Sequence, residues 1–209
     1  MKRTDYLKYE GKLSSKYQYI AGIDEVGRGP LVGPVVAAAI ILPPFFYDER
    51  IKDSKKLTPK KREELDKFIR EKALAFGIGV IDNKRIDEVN ILNATKEAMK
   101  EALSKLKIKP DLVLVDALNL NLPFPEIDII KGDDKSISIA SASIIAKVYR
   151  DNIMRELDKL HPEYDFKHNM GYPTKKHLEA IKKYGIIEEH RLSYGPVRDV
   201  KNSRSISRN

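Results

Sequence analysis

Short apolar runs that are rich in β-branched residues and bounded by glycine or proline predict buried strands. The chain has five such runs, at Tyr19–Asp24, Val35–Leu42, Ala75–Ile81, Leu112–Val115 and Ile127–Ile130. Glycine and proline separate the first two runs, which predicts that they pair as a hairpin. The runs are nearly continuous in apolar residues, as in strands that are buried on both faces.

Helical periodicity of apolar residues predicts four helices, at Pro59–Lys72, Ala94–Leu106, Ile139–Leu160 and Lys175–Tyr184. The first has Thr58 as its N-cap and a proline at its first position, a combination typical of helix starts. Strands come first and then alternate with helices, so the pattern predicts an α/β protein with a mixed central β-sheet.

A single domain is expected from the length of the chain. Its 209 residues, 42% of them hydrophobic, are enough to bury a core, and neither a repeat nor a linker interrupts them. We predict one domain over 1–197, large enough to be catalytic, which includes a short polar N-terminal segment at 1–16. The basic residues 198–209 lack apolar periodicity, which predicts a flexible C-terminal tail.

The composition narrows the location and the partners. The chain has no apolar run long enough to cross a membrane and no apolar signal core at its start, so we expect a cytoplasmic protein without a membrane partner. It has no cysteine, so a metal ion would need oxygen or imidazole ligands. The net charge of +8 favours a polyanionic partner, although a lysine-rich surface alone would give the same value.

Acidic residues stand where predicted strands end. Asp24 and Glu25 run from the first strand into a glycine-rich turn, Asp116 ends the fourth strand, and Asp133 and Asp134 precede a long helix. Functional residues of open α/β sheets commonly lie at the carboxyl ends of strands. Carboxylates from separate segments can converge on Mg²⁺ or Mn²⁺, and two such ions about 3.5–4 Å apart would orient a water and stabilise a leaving oxygen.

Each of these acidic residues also has a structural explanation. Asp24 and Glu25 could cap the adjacent turn, Asp116 could simply end its strand, and Asp133 or Asp134 could cap the following helix. Taken singly, the structural explanation is the commoner one. Their joint occurrence at the ends of apolar strands favours a site.

Several other segments suit contact with a phosphate backbone. The backbone of Gly27-Arg28-Gly29 can approach a ligand closely, and Arg28 offers a fork of donors. A lysine-rich segment containing Ser54 and Lys55 suits a phosphate contact, as does Lys147 on the long helix, and Tyr172 in a Gly-Tyr-Pro-Thr turn could stack on a sugar or base. A tight hairpin, a solvated lysine run and a core tyrosine are the structural alternatives.

The four histidines show no zinc-ligand spacing and no arrangement typical of a catalytic triad. We therefore interpret them as structural or as neighbours of a substrate. Among them, the pair His190-Arg191 has the most suggestive context.

An ordered series of motifs resembles bacterial ribonuclease HII of the type 2 ribonuclease H family, from Tyr19 to Val197. The blocks are Gly22-Ile-Asp-Glu-Val-Gly-Arg-Gly-Pro30, Asp53-Ser-Lys-Lys-Leu57, Asn90-Ile-Leu, Val115-Asp116, Lys131-Gly-Asp133, Ala142-Ser-Ile-Ile-Ala-Lys147, Arg150-Asp151, Gly171-Tyr172 and His190-Arg-Leu-Ser-Tyr-Gly-Pro196. The residues before the first strand are too few for the extra domain of ribonuclease HIII, so we expect the HII type.

The resemblance implies a ribonuclease H-like fold and a set of site residues. By position, the family's four metal-binding carboxylates fall on Asp24, Glu25, Asp116 and Asp133, its glycine loop on Gly27, Arg28 and Gly29, and its junction-sensing tyrosine on Tyr172. Asp133 is chosen over Asp134 because the family's Lys-Gly pair immediately precedes it. Asp134 stays open as a substitute or an assistant.

The resemblance also implies the reaction. A water would attack the phosphodiester on the 5′ side of a ribonucleotide and leave 3′-hydroxyl and 5′-phosphate ends, with Mg²⁺ or Mn²⁺ in a two-ion site. The substrates would be RNA/DNA hybrids and DNA duplexes that contain single ribonucleotides, and we expect a monomer. Two alternatives are a nucleic-acid-binding module without catalysis and a DNA nuclease of the same superfold.

Overall fold

All five predicted strands form. The computed structural model describes residues 8–52 and 57–206, and in these ranges the strands are β1 (Ile20–Val26), β2 (Val35–Ile41), β3 (Ala75–Ile81), β4 (Leu112–Asp116) and β5 (Glu126–Ile129). The helices are α1 (Lys8–Leu13), α2 (Glu49–Lys52), α3 (Pro59–Lys72), α4 (Asn83–Ser104), α5 (Ile137–Leu160), α6 (Phe166–Asn169), α7 (Lys175–Tyr184) and α8 (Gly195–Ile206).

The strands form one sheet in the order β3-β2-β1-β4-β5. β1 pairs antiparallel with β2, as the predicted hairpin requires, and parallel with β4, which pairs parallel with β5. The sheet is therefore mixed, and the predicted α/β class with helices flanking a mixed sheet is confirmed. β2 is buried along its whole length, which explains its continuous run of apolar residues.

Two of the predicted helices, α3 and α7, have the predicted bounds. α3 begins after Thr58, whose hydroxyl accepts a hydrogen bond from the Lys61 amide at 3.4 Å. α4 begins earlier than expected and is interrupted at Asn90, which has φ 68° and ψ 165°. The Asn90 side chain accepts hydrogen bonds from the amides of Leu92 and Asn93, so it caps the second half of the helix.

Helices also occur in both terminal segments, where the sequence predicted none. In the segment 1–16, α1 forms because Tyr9 and Leu13 pack against a buried apolar cluster that includes Ile20 and Leu112. Residues 198–206 of the predicted flexible tail 198–209 continue α8, and the flexibility of the tail stays a prediction. Val197 is fully buried and Val200 packs against the same core cluster, so apolar contacts hold this helix.

The chain divides into two compact units. Within the described residues, the sheet unit comprises 8–26, 36–52, 57–80 and 96–148, and the loop unit comprises 27–35, 81–95 and 149–206. A cluster built on Ile20, Leu114 and Ile139 forms part of the core of the sheet unit. The core of the loop unit is built around Tyr164 and Phe166. The single domain over 1–197 stays a prediction.

No helix in the described part of the chain is both long enough and apolar enough to cross a membrane.

Candidate active site

Two neighbouring strands of the sheet unit end in carboxylates. Asp24 and Glu25 lie near the end of β1, and Asp116 is the last residue of β4. The strands are parallel and Ile23 pairs with Val115, so Asp24 and Asp116 follow at the same level of the sheet. The expectation that Asp116 ends a strand is confirmed.

Asp24 is 6% exposed and lies close to other acidic groups. Its pKa is raised well above the usual range, first by burial and next by the charge of Glu25, with a further contribution from Asp116. A hydrogen bond with the Ser143 side chain and another from the Glu25 amide, at 2.7 Å, act in the opposite direction. Glu25 and Asp116 are therefore near enough to Asp24 for their charges to disfavour its ionised form.

The turn that carries Asp133 is tied to Asp116. The Gly132 amide donates a hydrogen bond to Oδ1 of Asp116 at 2.7 Å. A β-carbon at Gly132 would lie 2.6 Å from Cδ1 of Ile139, so any other residue there would force the Ile139 side chain to shift. In the short turn that follows, Asp133 is partly buried and Asp134 is exposed. This difference favours Asp133 as the fourth carboxylate, although the assignment stays a prediction.

Helix α5 packs closely against β1. A β-carbon at Gly22 would lie 2.3 Å from the carbonyl carbon of Ser138, so the backbones nearly touch. The small residues at the start of α5 make this approach possible. Ser143 and Lys147 stand four positions apart on α5, and therefore on one face of the helix. The helix thus presents a hydroxyl and an ammonium group on one face, the hydroxyl being the one that contacts Asp24.

The donors of the sheet unit are carboxylates, which suit a hard divalent cation. Within 8–52 and 57–206, no group of three or more acidic or histidine side chains is already arranged to hold a metal ion. The pKa of Asp24 is nevertheless raised first by burial and then by the charges of Glu25 and Asp116, and a divalent cation would offset both effects. The donor set therefore fits Mg²⁺ or Mn²⁺ in its chemistry.

In the loop unit, two arginines hold the loop Gly27–Pro34. Arg150 donates hydrogen bonds to the carbonyls of Pro34 at 2.9 Å and Val32 at 3.1 Å. Arg191 donates to the carbonyls of Gly27, Gly33 and Arg28, at 2.7, 2.9 and 3.1 Å. Five carbonyls of the loop are thereby turned towards the two guanidinium groups.

Both arginines are buried, with 1% and 0% of their surfaces exposed. Burial, together with the charge of Arg191, lowers the pKa of Arg150 to about 10, and burial lowers the pKa of Arg191 as well. Arg150 nevertheless keeps its charge at neutral pH, and backbone carbonyls accept its hydrogen bonds. The loop therefore rests on buried positive charge, which favours an anionic ligand.

Tyr172 lies beside the glycine loop. A β-carbon at Gly29 would lie 3.3 Å from Cε1 of Tyr172, so the absence of a side chain lets the ring come close. The Tyr172 amide donates to the Asn169 carbonyl at 2.9 Å, and the Leu31 amide donates to the Gly171 carbonyl at 2.8 Å. Tyr172 is 44% exposed, which leaves part of the residue accessible to a ligand. The structure thus brings together two of the predicted substrate-binding groups, Gly29 and Tyr172.

A protein-family model described as Ribonuclease HII matches residues 21–196 of the chain. The chain belongs to the ribonuclease HII family. Family members hydrolyse the RNA of RNA/DNA hybrids and excise ribonucleotides, and the chain is accordingly an endoribonuclease.

Curated ribonuclease HII proteins of Bacillus species are among its relatives. The protein of Bacillus cytotoxicus is 55% identical over 197 residues, which cover 93% of this chain and 76% of that protein. The protein of Bacillus thuringiensis strain Al Hakam is 54% identical over 194 residues, which cover 92% of this chain and 76% of that protein.

Solved structures of ribonuclease HII and HIII share the fold. Ribonuclease H2 of Pyrococcus horikoshii superposes with a TM-score of 0.75 at 28% identity, covering 88% of this chain and 98% of that one. A ribonuclease HII of Archaeoglobus fulgidus, solved in complex with PCNA, gives 0.71 at 27% identity, covering 85% and 95%. Bst-RNase HIII in complex with Mn²⁺ gives 0.65 at 17% identity, covering 88% and 70%, and supports the fold alone.

The functional candidates predicted from the sequence and those seen in the structure differ at several residues. Ser54 and Lys55 fall outside the described residues, so their predicted role has no structural counterpart here. Sequence reasoning did not assign roles to Ser143, Arg150 or Arg191, although all three stand in the blocks that carry the resemblance. Their presence in those blocks was the available signal.

Proposed function

We propose that this ribonuclease HII cleaves on the 5′ side of ribonucleotides, both in RNA/DNA hybrids and singly embedded in duplex DNA, leaving 3′-hydroxyl and 5′-phosphate ends. The observation that carries the proposal is the group Asp24, Glu25 and Asp116 at the ends of adjacent strands, in which Asp24 has a raised pKa. A carboxyl group whose pKa is shifted by burial together with specific charged neighbours is typical of functional sites.

Asp24, Glu25, Asp116 and Asp133 would hold Mg²⁺ or Mn²⁺ in a two-ion site. Bound ions of this kind supply an activated water and stabilise the charge on the leaving oxygen. The chain's own groups would prepare the site. The Ser143 hydrogen bond favours the charged form of Asp24, and the Gly132 amide orients the Asp116 carboxylate. Lys147 would contribute positive charge to a substrate phosphate.

The loop unit would recognise the ribonucleotide. Gly27, Arg28 and Gly29 would present their backbone and one guanidinium to the sugar and phosphate, while Tyr172 would stack on the sugar. The 2′-hydroxyl is the group that distinguishes RNA from DNA at one position. The hydrogen bonds of Arg150 and Arg191 support this role, because they give the loop one fixed shape before a substrate binds. Ser54 and Lys55 would contact phosphate.

The charge, the oligomeric state and the location of the protein complete the proposal. The net charge of +8 supports binding to a nucleic acid duplex. We propose that the protein acts as a monomer in the cytoplasm, without a membrane partner.

The test uses two end-labelled duplexes, one with a single ribonucleotide and one of DNA alone. The purified protein is incubated with each in Mg²⁺, in Mn²⁺ and in chelator. Metal-dependent cutting at the 5′ side of the ribonucleotide alone is the expected result. Cutting of both duplexes would favour a DNA nuclease, and binding without any cutting would favour a non-catalytic module.

A further inference from the structure

Two histidines lie side by side in the interior of the loop unit. His177 on α7 and His190 are both 0% exposed, and their Nε2 atoms are 3.3 Å apart. The rings of Tyr164 and Phe166 pack against both, with an edge-on Phe166–His177 contact at 5.3 Å. Polar rings buried this completely need every hydrogen bond that they can make.

The backbone partners determine where the protons lie on both rings. The Ile187 amide is a donor, and it lies 3.0 Å from Nδ1 of His190, so that nitrogen must accept. The Tyr172 carbonyl can only accept, and it lies 2.9 Å from Nδ1 of His177, so that nitrogen must donate. His190 therefore carries its proton on Nε2 and donates it to Nε2 of His177.

A neutral pair is required by this arrangement, because each ring has one donor and one acceptor in use. Burial lowers the pKa of His177, and burial together with the charge of His177 lowers the pKa of His190 to about 3. Both rings are therefore neutral at pH 7, as the hydrogen bonds require.

The histidine pair connects the two parts of the proposed recognition surface, which are Tyr172 and the glycine loop. At one end it holds the carbonyl of Tyr172, which also accepts from the Thr174 amide at 2.8 Å. At the other end, His190 forms an antiparallel bridge with Val32, next to Arg191, which holds the glycine loop. The Glu189 carbonyl accepts from the Gly33 amide and the Arg191 amide donates to the Leu31 carbonyl, so this segment is paired with the loop.

We propose that His177 and His190 are positioning residues that fix Tyr172 against Gly29, and that they thereby set the selectivity for a single embedded ribonucleotide. The inference rests on the proposed function of Tyr172. A lone ribonucleotide offers one 2′-hydroxyl, so the ring must stand in one place. A long hybrid offers a ribose at every step and tolerates a displaced ring.

A matched pair of substitutions separates positioning from simple core packing. The amide nitrogen of asparagine can replace Nδ1 of a histidine, whereas that of glutamine replaces Nε2. His177→Asn therefore keeps the donor to the Tyr172 carbonyl, and His177→Gln loses it. Both remove a buried ring, so a packing role alone would make the two variants fail alike.

The readout is a selectivity ratio, defined as kcat/KM for the single-ribonucleotide duplex divided by kcat/KM for a long hybrid. His177→Gln should lower this ratio about three- to tenfold, which is the loss of one hydrogen bond, while His177→Asn should stay within about twofold of wild type. Equal ratios in the two variants would overturn the proposal. Thermal melting of both variants verifies that they are folded.

A second comparison tests whether the effect passes through Tyr172. In a Tyr172→Ala background, His177→Gln should lower the ratio no further, because the group that it positions is gone. A full additional loss in that background would show that His177 acts elsewhere.

Nitrogen-15 NMR of the imidazole rings tests the proton positions without any activity measurement. Wild-type protein should show an unprotonated Nδ1 on His190 and an unprotonated Nε2 on His177, and the opposite tautomers would overturn the proposal. A wild-type protein that cuts no ribonucleotide duplex would instead refute the proposed function, whatever the tautomers.

Discussion

The sheet unit and the loop unit both bury charge, and they stabilise it differently. In the sheet unit, Asp24 is buried near two other carboxylates and its pKa is raised. In the loop unit, Arg150 and Arg191 are buried too, but carbonyls of the loop Gly27–Pro34 accept their hydrogen bonds. Under the proposed function, the carboxylates would need a cation, whereas hydrogen bonds already hold the loop in one shape. Cleavage would then depend on an added ion, while recognition would depend on a loop that the fold alone supports.

The largest expected effect is on the rate of cleavage, and it distinguishes Asp133 from the neighbouring Asp134. Asp133→Asn should lower cleavage at least about a hundredfold, as should Asp116→Asn, because each removes a proposed ligand whose ion supplies several kcal/mol. Asp134→Asn is the matched control and should keep nearly wild-type activity. Single-turnover cleavage rates on a ribonucleotide duplex measure the effect of each substitution. A larger loss in Asp134→Asn than in Asp133→Asn would assign the fourth carboxylate to Asp134.

Two glycines contrast packing with recognition. Gly22→Ala would place a carbon 2.3 Å from the Ser138 backbone, so it should cost about 3 kcal/mol of unfolding free energy, the upper end for overpacking. Gly29→Ala would place a carbon 3.3 Å from the Tyr172 ring, which can shift. It should leave stability nearly unchanged and lower the preference for a single ribonucleotide. Urea denaturation measures the unfolding free energies of the two variants, and cleavage assays measure their preference for a single ribonucleotide. Equal unfolding free energies would contradict the prediction.

Removal of the ion should reveal the repulsion around Asp24. In chelator, Asp24→Asn should melt a few degrees above wild type, because the substitution removes a charge that burial and its neighbours disfavour; each 1 kcal/mol corresponds to about 2–4 °C in a chain of this size. Added Mn²⁺ should raise the melting temperature of wild type more than that of the variant. An unchanged melting temperature of wild type in Mn²⁺ would argue against a cation site there.

The last prediction concerns the pH dependence of stability in the loop unit. The pKa of His190 is 6.5 in an ordinary environment and about 3 in the fold. Between these values the unfolded chain binds a proton that the folded chain does not, so stability falls with falling pH, by at most about 1.4 kcal/mol per pH unit. His190→Gln should make this slope shallower. Urea unfolding at a series of pH values measures it, and an identical slope in the variant would count against a neutral, buried His190.

Local patterns in the sequence predicted much of the fold. The strands followed from short apolar runs and α3 from Thr58 and Pro59, because strand alternation, helix periodicity and caps act between near neighbours. α1 and α8 were missed because each has few apolar residues and forms by packing Tyr9 or Val197 against a cluster from other segments. The beginning of α4 was missed because it is mostly polar, as in Asn83, Lys84 and Arg85.

The candidate site was predicted in its residues more than in its support. Asp24 and Asp116 stand at strand ends, which the apolar runs already indicated. The roles of Arg150 and Arg191 were not predictable, because arginine is rarely buried and its partners here are backbone carbonyls. Gly27, for example, lies 164 positions before Arg191.

The sequence by itself determined the secondary structure of most segments, the α/β class, the oxygen chemistry of any metal site and the family. The tertiary structure decided the strand order, the approach of Asp24 to Asp116, the support of the glycine loop and the proton positions on His177 and His190. The reason is physical. Local propensity acts over a few residues, whereas pairing, burial and pKa depend on groups that only the folded chain brings together.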